Sequence, residues 1–238
     1  MANYLVLLAG GTGSRMGSNM PKQFLIVDDK PVVVHTILNF QRNKNIDGII
    51  IICIKEWIIY MQRLVSEYNL NKVKWIIEGG LTGHDSTRNG IFFLRDKISK
   101  DDFVIIHDAV RPILPQIAIN NMLEVAYENG NASLAIPCYE TAICTDDKKS
   151  GIKCIDRNSF MRVQTPQAYK FDILLSLYER AEQENIHDFV YADIVLIHYG
   201  QRVFFSKGFT NNIKITKKED IALCEALMKF SEDELYSL

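Results

Sequence analysis

Residues 4–9 (Tyr-Leu-Val-Leu-Leu-Ala) and 49–54 (Ile-Ile-Ile-Ile-Cys-Ile) are unbroken apolar runs bounded by glycine or polar positions. Runs this short and this rich in β-branched residues predict strands covered on both faces, as in a parallel sheet. Shorter strand-like runs follow at 73–77, 103–106, 132–137 and 202–206. Between them the apolar positions take helical spacing. Helices are predicted over 32–40 with Pro31 at the start, 57–68, 87–94 with a start near Asp85 or Ser86, 115–127, 169–183 and 218–230. Residues 189–196 fit either state. Strand and helix alternate about four times, which predicts an α/β fold with a mostly parallel central sheet and right-handed crossovers. The pattern changes between 139 and 167, where short β-prone pieces flank the polar turn 146–151. That stretch predicts a protruding β-arm, with an apolar face that a second subunit would cover. The chain is otherwise read as a single domain over 1–238.

Composition narrows the function more than the fold. Hydrophobic types make up 47% of 238 residues, enough for a sizeable core. The 27 basic and 29 acidic residues leave a net charge of -2, so the basic footprint of a nucleic-acid-binding protein is missing. The five cysteines form no CxxC pair, which argues against structural zinc and for reduced, buried thiols. The first apolar run stops at Gly10 and has no basic residues before it. It is too short for a signal peptide or a membrane span, and a cytoplasmic protein with no membrane partner is expected.

The sharpest chemical signal is Gly10-Gly11-Thr12-Gly13-Ser14-Arg15-Met16-Gly17, directly after the first strand. Glycines let backbone N–H groups approach a phosphate, and the carboxyl end of a parallel strand is where such ligands bind. The segment has no GKS or GKT ending, so it is not a P-loop, and its glycine spacing is one residue too long for the dinucleotide fingerprint. Arg15 and Lys22 supply two cations that can balance charge on transferring phosphoryl oxygens.

With Pro21-Lys22-Gln23-Phe24, this loop resembles the nucleotide-binding signature of sugar and polyol phosphate nucleotidyltransferases. The likeness is strongest to the cytidylyltransferases acting on 2-C-methyl-D-erythritol 4-phosphate or ribitol 5-phosphate. His107-Asp108-Ala109-Val110-Arg111-Pro112, Asp156-Arg157-Asn158 with Gln164-Thr165-Pro166-Gln167, and Asn212-Ile213-Lys214-Ile215-Thr216 resemble the later signatures of that family, in order and over nearly the whole chain. The resemblance implies a Rossmann-like, GT-A-like nucleotidyltransferase fold, a three-layer sandwich. It implies a homodimer joined through the arm. It also implies transfer of CMP from CTP to a small polyol phosphate, with Mg²⁺ present.

The same resemblance assigns roles. Arg15, Lys22 and Lys214 are the expected catalytic cations. Ala9, Gly10, Gly11, Thr12, Gly13, Gly80, Ser86 and Asp108 are expected around the nucleotide, with Ser86 the best candidate for reading the base. Asp108 is the expected metal ligand. Asp108, Arg111, Thr141, Arg157 and Asp193 are expected at the acceptor, Thr141 and Arg157 reaching the partner subunit's site. His107 is expected to pack beneath its loop rather than act as a base, and Gln164 and Gln167 to serve as local turn partners.

Two positions depart from the family pattern. Gly83 stands where an arginine is usual, and Arg88 is a candidate replacement. Val190-Tyr191 stands where Thr-Asp is usual, and the nearest carboxylate is displaced to Asp193. If that segment is helical, the two-residue shift turns Asp193 to another side. The reading leans to ribitol 5-phosphate. The alternatives are the methylerythritol phosphate reaction, a related sugar-phosphate nucleotidyltransferase, and a non-catalytic nucleotide-binding homologue.

Overall fold

The computed structural model describes residues 1–11 and 20–237. The first run forms β1 (Asn3–Ala9) and the isoleucine run forms β4 (Gly48–Cys53), paired in parallel with Leu5 opposite Ile49. Between them lie the small hairpin β2 (Ile26–Val27) and β3 (Lys30–Pro31), then α1 (Val32–Gln41). After β4 come α2 (Ile58–Glu67), β5 (Val73–Glu78), α3 (Gly83–Leu94), β6 (Phe103–Asp108), α4 (Gln116–Asn129) and β7 (Asn131–Pro137). The hairpin β8 (Ala142–Cys144) and β9 (Lys153–Ile155) precedes β10 (Met161–Lys170), α5 (Phe171–Gln183), α6 (Ala192–His198) and β11 (Phe205–Lys207). The chain closes with α7 (Glu219–Leu227) and α8 (Glu232–Ser237).

The central sheet has seven strands in the order β11-β7-β10-β6-β1-β4-β5. All its neighbouring pairs are parallel except those of β10, which runs antiparallel between β6 and β7. Alternate residues of each central strand feed opposite layers, as the two-residue period of a strand requires. Leu5, Leu7, Ile49 and Ile51 pack under α1, α2, α4 and α7. Val6, Ile50, Ile52, Val104 and Ile106 pack under α3, α5 and α6. The result is the three-layer α/β sandwich expected, with the carboxyl ends of the parallel strands β1, β4, β5 and β6 along one rim.

Two expectations change. The arm does not run to residue 167: from Met161 onward the chain is β10, the strand that completes the sheet between β6 and β7. Only the β8–β9 hairpin and the turns beside it stand off the sheet. The ambiguous stretch resolves into a loop followed by α6, which starts at Ala192. All five cysteines are free; Cys53, Cys138 and Cys224 are buried as expected, whereas Cys154 is exposed. Among the described residues no helix is long and apolar enough to cross a membrane.

Candidate active site

The rim at the carboxyl ends of β1, β5 and β6 carries two adjoining cavities. The first, of about 380 Å³, is lined by Leu8, Gly10, Gly11, Lys22, Gln23, Leu81–Gly83, Ser86, Asp108, Val110 and Lys214. The second, of about 490 Å³, shares Leu8, Thr82, Gly83, Asp108 and Lys214 and continues to Thr165, Gln167 and residues 187–192. A smaller lobe of about 250 Å³ opens beyond Asp108 and is lined by Arg111, Gln164, Thr165, Gln167, Tyr191 and Asp193, among others. Thr12, Gly13 and Arg15 lie outside the described residues.

Local sequence explains how the glycine turn is held. The buried amide of Gln23 donates from Nε2 to the carbonyls of Ala9 (2.7 Å) and Gly11 (3.0 Å). That clasp brings Lys22 to the mouth of the turn, a function of the Pro-Lys-Gln sequence that reading residue by residue missed. On the opposite wall, Thr82 caps α3 in a capping box with Asp85. Ser86, one turn further, accepts from the Gly80 N–H at 3.1 Å. The closeness of these parts is what the glycines serve. A Cβ at Gly10 or Gly79 would lie 3.0 Å from Ser86 Oγ, and one at Gly80 would lie 2.1 Å from Asp85 Cβ. Gly83 is different, since a Cβ there meets nothing within 4 Å. Gly80→Ala should therefore cost about 1–3 kcal/mol of stability, read as a lower denaturant midpoint, while Gly83→Ala should leave it nearly unchanged. Equal midpoints for the two variants would contradict this packing.

Asp108, at the end of β6, organises the cations. Lys214 Nζ lies 3.0 Å from Oδ1, and Arg111 Nε donates to Oδ2 at 3.1 Å. Its backbone N–H donates to Thr165 Oγ1 at 3.2 Å. Lys214 arrives from more than 100 residues away because its segment is tied down on both sides. Ile215 N–H donates to the Val110 carbonyl, Arg111 reaches the Asn212 carbonyl at 2.7 Å, and Asn212 Nδ2 reaches the Thr165 carbonyl at 2.8 Å. Asp220, in the first turn of α7, then ties down the approach to the helix by accepting from the N–H groups of Thr216 and Lys217. The polar sequence from 212 to 220 is thus a set of ties that aim one lysine.

Burial alone would raise the Asp108 carboxyl, but Lys214 and Arg111 outweigh it and hold the pKa at about 2. A depressed carboxyl stabilises the fold above its unfolded pKa of about 4, and that stability is lost as pH falls through the folded value. Asp108→Asn should accordingly be less stable than the parent near neutrality, with the gap closing between about pH 4 and pH 2. A gap that does not change with pH, measured by denaturant titration, would contradict the pairing. His107 is fully buried against Phe40, with Nε2 3.2 Å from the Arg111 carbonyl. Burial pushes its pKa down to about 3, so it stays neutral and packs beneath the loop, as expected from its place at a strand end.

Several expectations for the site are revised. Arg88 lines neither large cavity; it pairs with Asp85 at 3.6 Å and with Glu182 of α5 at 3.3 Å, away from the wall where the cation absent at Gly83 was expected. Asp193 is buried, and its carboxylate accepts from Ser133 Oγ, Gln167 Nε2 and, at 2.6 Å, Tyr169 OH. Its oxygens are engaged by the sheet while the residue still lines the smaller lobe, because α6 begins at Ala192 and turns this side chain toward β7 and β10. Arg111 serves chiefly as the second partner of Asp108. Gln164 is not a local turn partner, since it bonds Phe209 and Asn212, and Gln167 joins its near neighbour Tyr169 to the distant Asp193. Thr141 and Arg157 are exposed on the arm and line no cavity of their own chain among those at the rim.

Asp108 is the one carboxylate shared by the three cavities, and the described residues hold no cluster of three or more His, Cys, Asp or Glu that could cage a metal. A single hard oxygen donor suits a magnesium ion that takes its other ligands from phosphate and water, and does not suit one held by protein alone.

A cation-lined cleft at the rim of a three-layer sandwich, with a glycine turn on one wall and a lysine delivered from the far end of the chain, is the layout of a nucleotidyltransferase. The solved 2-C-methyl-D-erythritol 4-phosphate cytidylyltransferase of Francisella tularensis has the same fold, with a TM-score of 0.81 over 95% of this chain and 100% of that one at 24% identity. The description "2-C-methyl-D-erythritol 4-phosphate cytidylyltransferase", IspD, fits residues 4–230, and the chain belongs to that family. It is an enzyme of the cytidylyltransferase class. It is 37% identical to the ribitol-5-phosphate cytidylyltransferase of Lacticaseibacillus paracasei over 95% of this chain and 98% of the relative. It is 33% identical to the 2-C-methyl-D-erythritol 4-phosphate cytidylyltransferase of Clostridium botulinum strain Langeland over 95% of this chain and 97% of the relative.

Proposed function

We propose that the enzyme transfers CMP from CTP to ribitol 5-phosphate, giving a CDP-polyol and pyrophosphate. The observation that carries the reading is the convergence of Lys22, Lys214 and the Gly10–Gly11 turn on one cavity, with the second cavity joined to it at Asp108 and Lys214. The first cavity is the seat of CTP and the second that of the acceptor. An oxygen of the acceptor's phosphate attacks the α-phosphorus, a new P–O bond forms, and the bond from the α-phosphorus to the bridging oxygen breaks to release pyrophosphate. A phosphate dianion is already a nucleophile, so in-line placement and charge balance do the work. Lys22, with Arg15, grips the triphosphate. Lys214 moves from Asp108 to the α-phosphate oxygens, where negative charge builds. Ser86 and the backbone at Gly80 border the cytosine. Asp108, once Lys214 has left Oδ1, is the residue that would hold Mg²⁺, which supplies further neutralisation of the phosphates when bound.

Ribitol 5-phosphate is favoured because the relatives named for it reach 37% identity, against 33% for those named for the methylerythritol phosphate. The arm hairpin places Arg157 and Thr141 away from their own chain's cavities, which supports a homodimer in which the arm completes the partner's acceptor site. Arg157→Ala should lower kcat/KM for the polyol phosphate about tenfold or more, through loss of a forked phosphate contact, with little change in KM for CTP. A change confined to CTP would contradict that placement. The function itself is tested by crossing CTP and UTP with ribitol 5-phosphate, 2-C-methyl-D-erythritol 4-phosphate and glycerol 3-phosphate. The CDP-ribitol mass should dominate; faster turnover of the methylerythritol phosphate would reassign the acceptor.

A further inference from the structure

We infer that Tyr191 is a specificity-determining residue, its phenol hydroxyl reading a hydroxyl of the acceptor's carbon chain beyond the three carbons that glycerol 3-phosphate also has. The inference rests on the polyol phosphate reading above and names a residue for which that reading has no assigned role.

Tyr191 lines both the 490 Å³ cavity and the 250 Å³ lobe, so it stands at their junction on the acceptor side of Asp108. The other polar side chains of the smaller lobe are already engaged. Asp108 holds Lys214 and Arg111, Arg111 also holds Asn212, and Thr165 accepts from Asp108. Gln164 bonds Phe209, while Gln167 bonds Asp193 and accepts from Tyr169. Asp193 carries three donors. The Tyr191 hydroxyl is hydrogen-bonded by no other described residue, and the side chain is 48% exposed. The remaining lining of the lobe, Val163, Ile194 and Ile197, is apolar. A sugar alcohol entering there finds one uncommitted hydroxyl on a wall that offers no other.

The backbone beneath that side chain is fixed. Tyr191 precedes α6 in an extended conformation, and its carbonyl accepts from Ile194 N–H at 3.1 Å. Two residues on, the buried Asp193 ties α6 to β7 through Ser133 and to β10 through Gln167 and Tyr169. An anchored backbone with an unpartnered polar tip is the arrangement that discriminates between ligands, because the tip costs nothing to reorient and gains a bond with only some of them.

The test compares the parent with Tyr191→Phe, which keeps the ring and removes the hydroxyl, on ribitol 5-phosphate and on glycerol 3-phosphate with saturating CTP. The ratio of kcat/KM for ribitol 5-phosphate to that for glycerol 3-phosphate should fall about three- to tenfold, the scale of one lost hydrogen bond, with KM for CTP unchanged. An unchanged ratio overturns the inference, whether or not the melting temperature moves. An equal fall for both acceptors also overturns it, since it would mark Tyr191 as structural. If the parent turns over neither polyol phosphate with CTP, the acceptor reading fails and this inference fails with it. If the parent does turn them over and the ratio holds in Tyr191→Phe, only the inference fails.

Discussion

Lys214→Ala should lower turnover by about 10²–10³-fold, the loss typical of removing one preorganised donor to a developing oxyanion. The fold should survive, because the lysine side chain is partly exposed and Asp108 keeps Arg111 at 3.1 Å. The backbone ties at Asn212 and Ile215 do not involve the amine. Loss should therefore appear in kcat more than in KM for CTP, the pattern of an interaction made chiefly in the transition state. Lys214→Arg should recover only part of the rate, since a planar fork does not replace a compact ammonium at a single oxygen. Turnover within about threefold of the parent would remove Lys214 from the chemistry.

Asp108→Ala should be the most damaging single change. It leaves Arg111, largely buried at the side chain, and the partly exposed Lys214 without their shared counter-charge. Removing one partner of a buried ion pair costs about 3–5 kcal/mol, because the charge left behind is still desolvated. Activity should fall with stability, and the two losses separate in Asp108→Asn, which keeps the shape and some hydrogen bonding. That variant should fold better than the alanine form yet remain slow, for it neither parks Lys214 nor offers a charged oxygen to a cation. Equal denaturant midpoints for the parent and Asp108→Ala would show that the network carries little of the stability assigned to it.

The parts of the fold that were legible in the sequence are those with one dominant force. β1, β4 and β6 are buried on both faces, so their apolar runs announce them. β10 was hidden because its centre is Gln164-Thr165-Pro166-Gln167, polar residues that read as a turn. Apart from the Gln167–Tyr169 bond, those side chains take partners 26 to 57 residues away in sequence, which no local pattern reveals. The site divides in the same way. Asp108, Lys22 and Lys214 were named by motif likeness, and the geometry then brings them to one cavity. Gln23 was missed as a clasp because its work is to hold carbonyls of the glycine turn, a job that any local reading gives to the backbone. Asp193 and Arg88 show the limit of such a reading: a charged residue near a site looks available until its partners are known. The two-residue displacement of the carboxylate was the clue for Asp193, and the helix that starts at Ala192 gives it its physical meaning.

A crystal structure with a non-hydrolysable CTP analogue and ribitol 5-phosphate addresses the central claim most directly. The account predicts the triphosphate over Gly10 and Gly11, the amines of Lys22 and Lys214 on its oxygens, and the polyol chain between Thr165 and Tyr191. The analogue seated elsewhere, or Lys214 still held on Asp108 with no phosphate oxygen in reach, would contradict it.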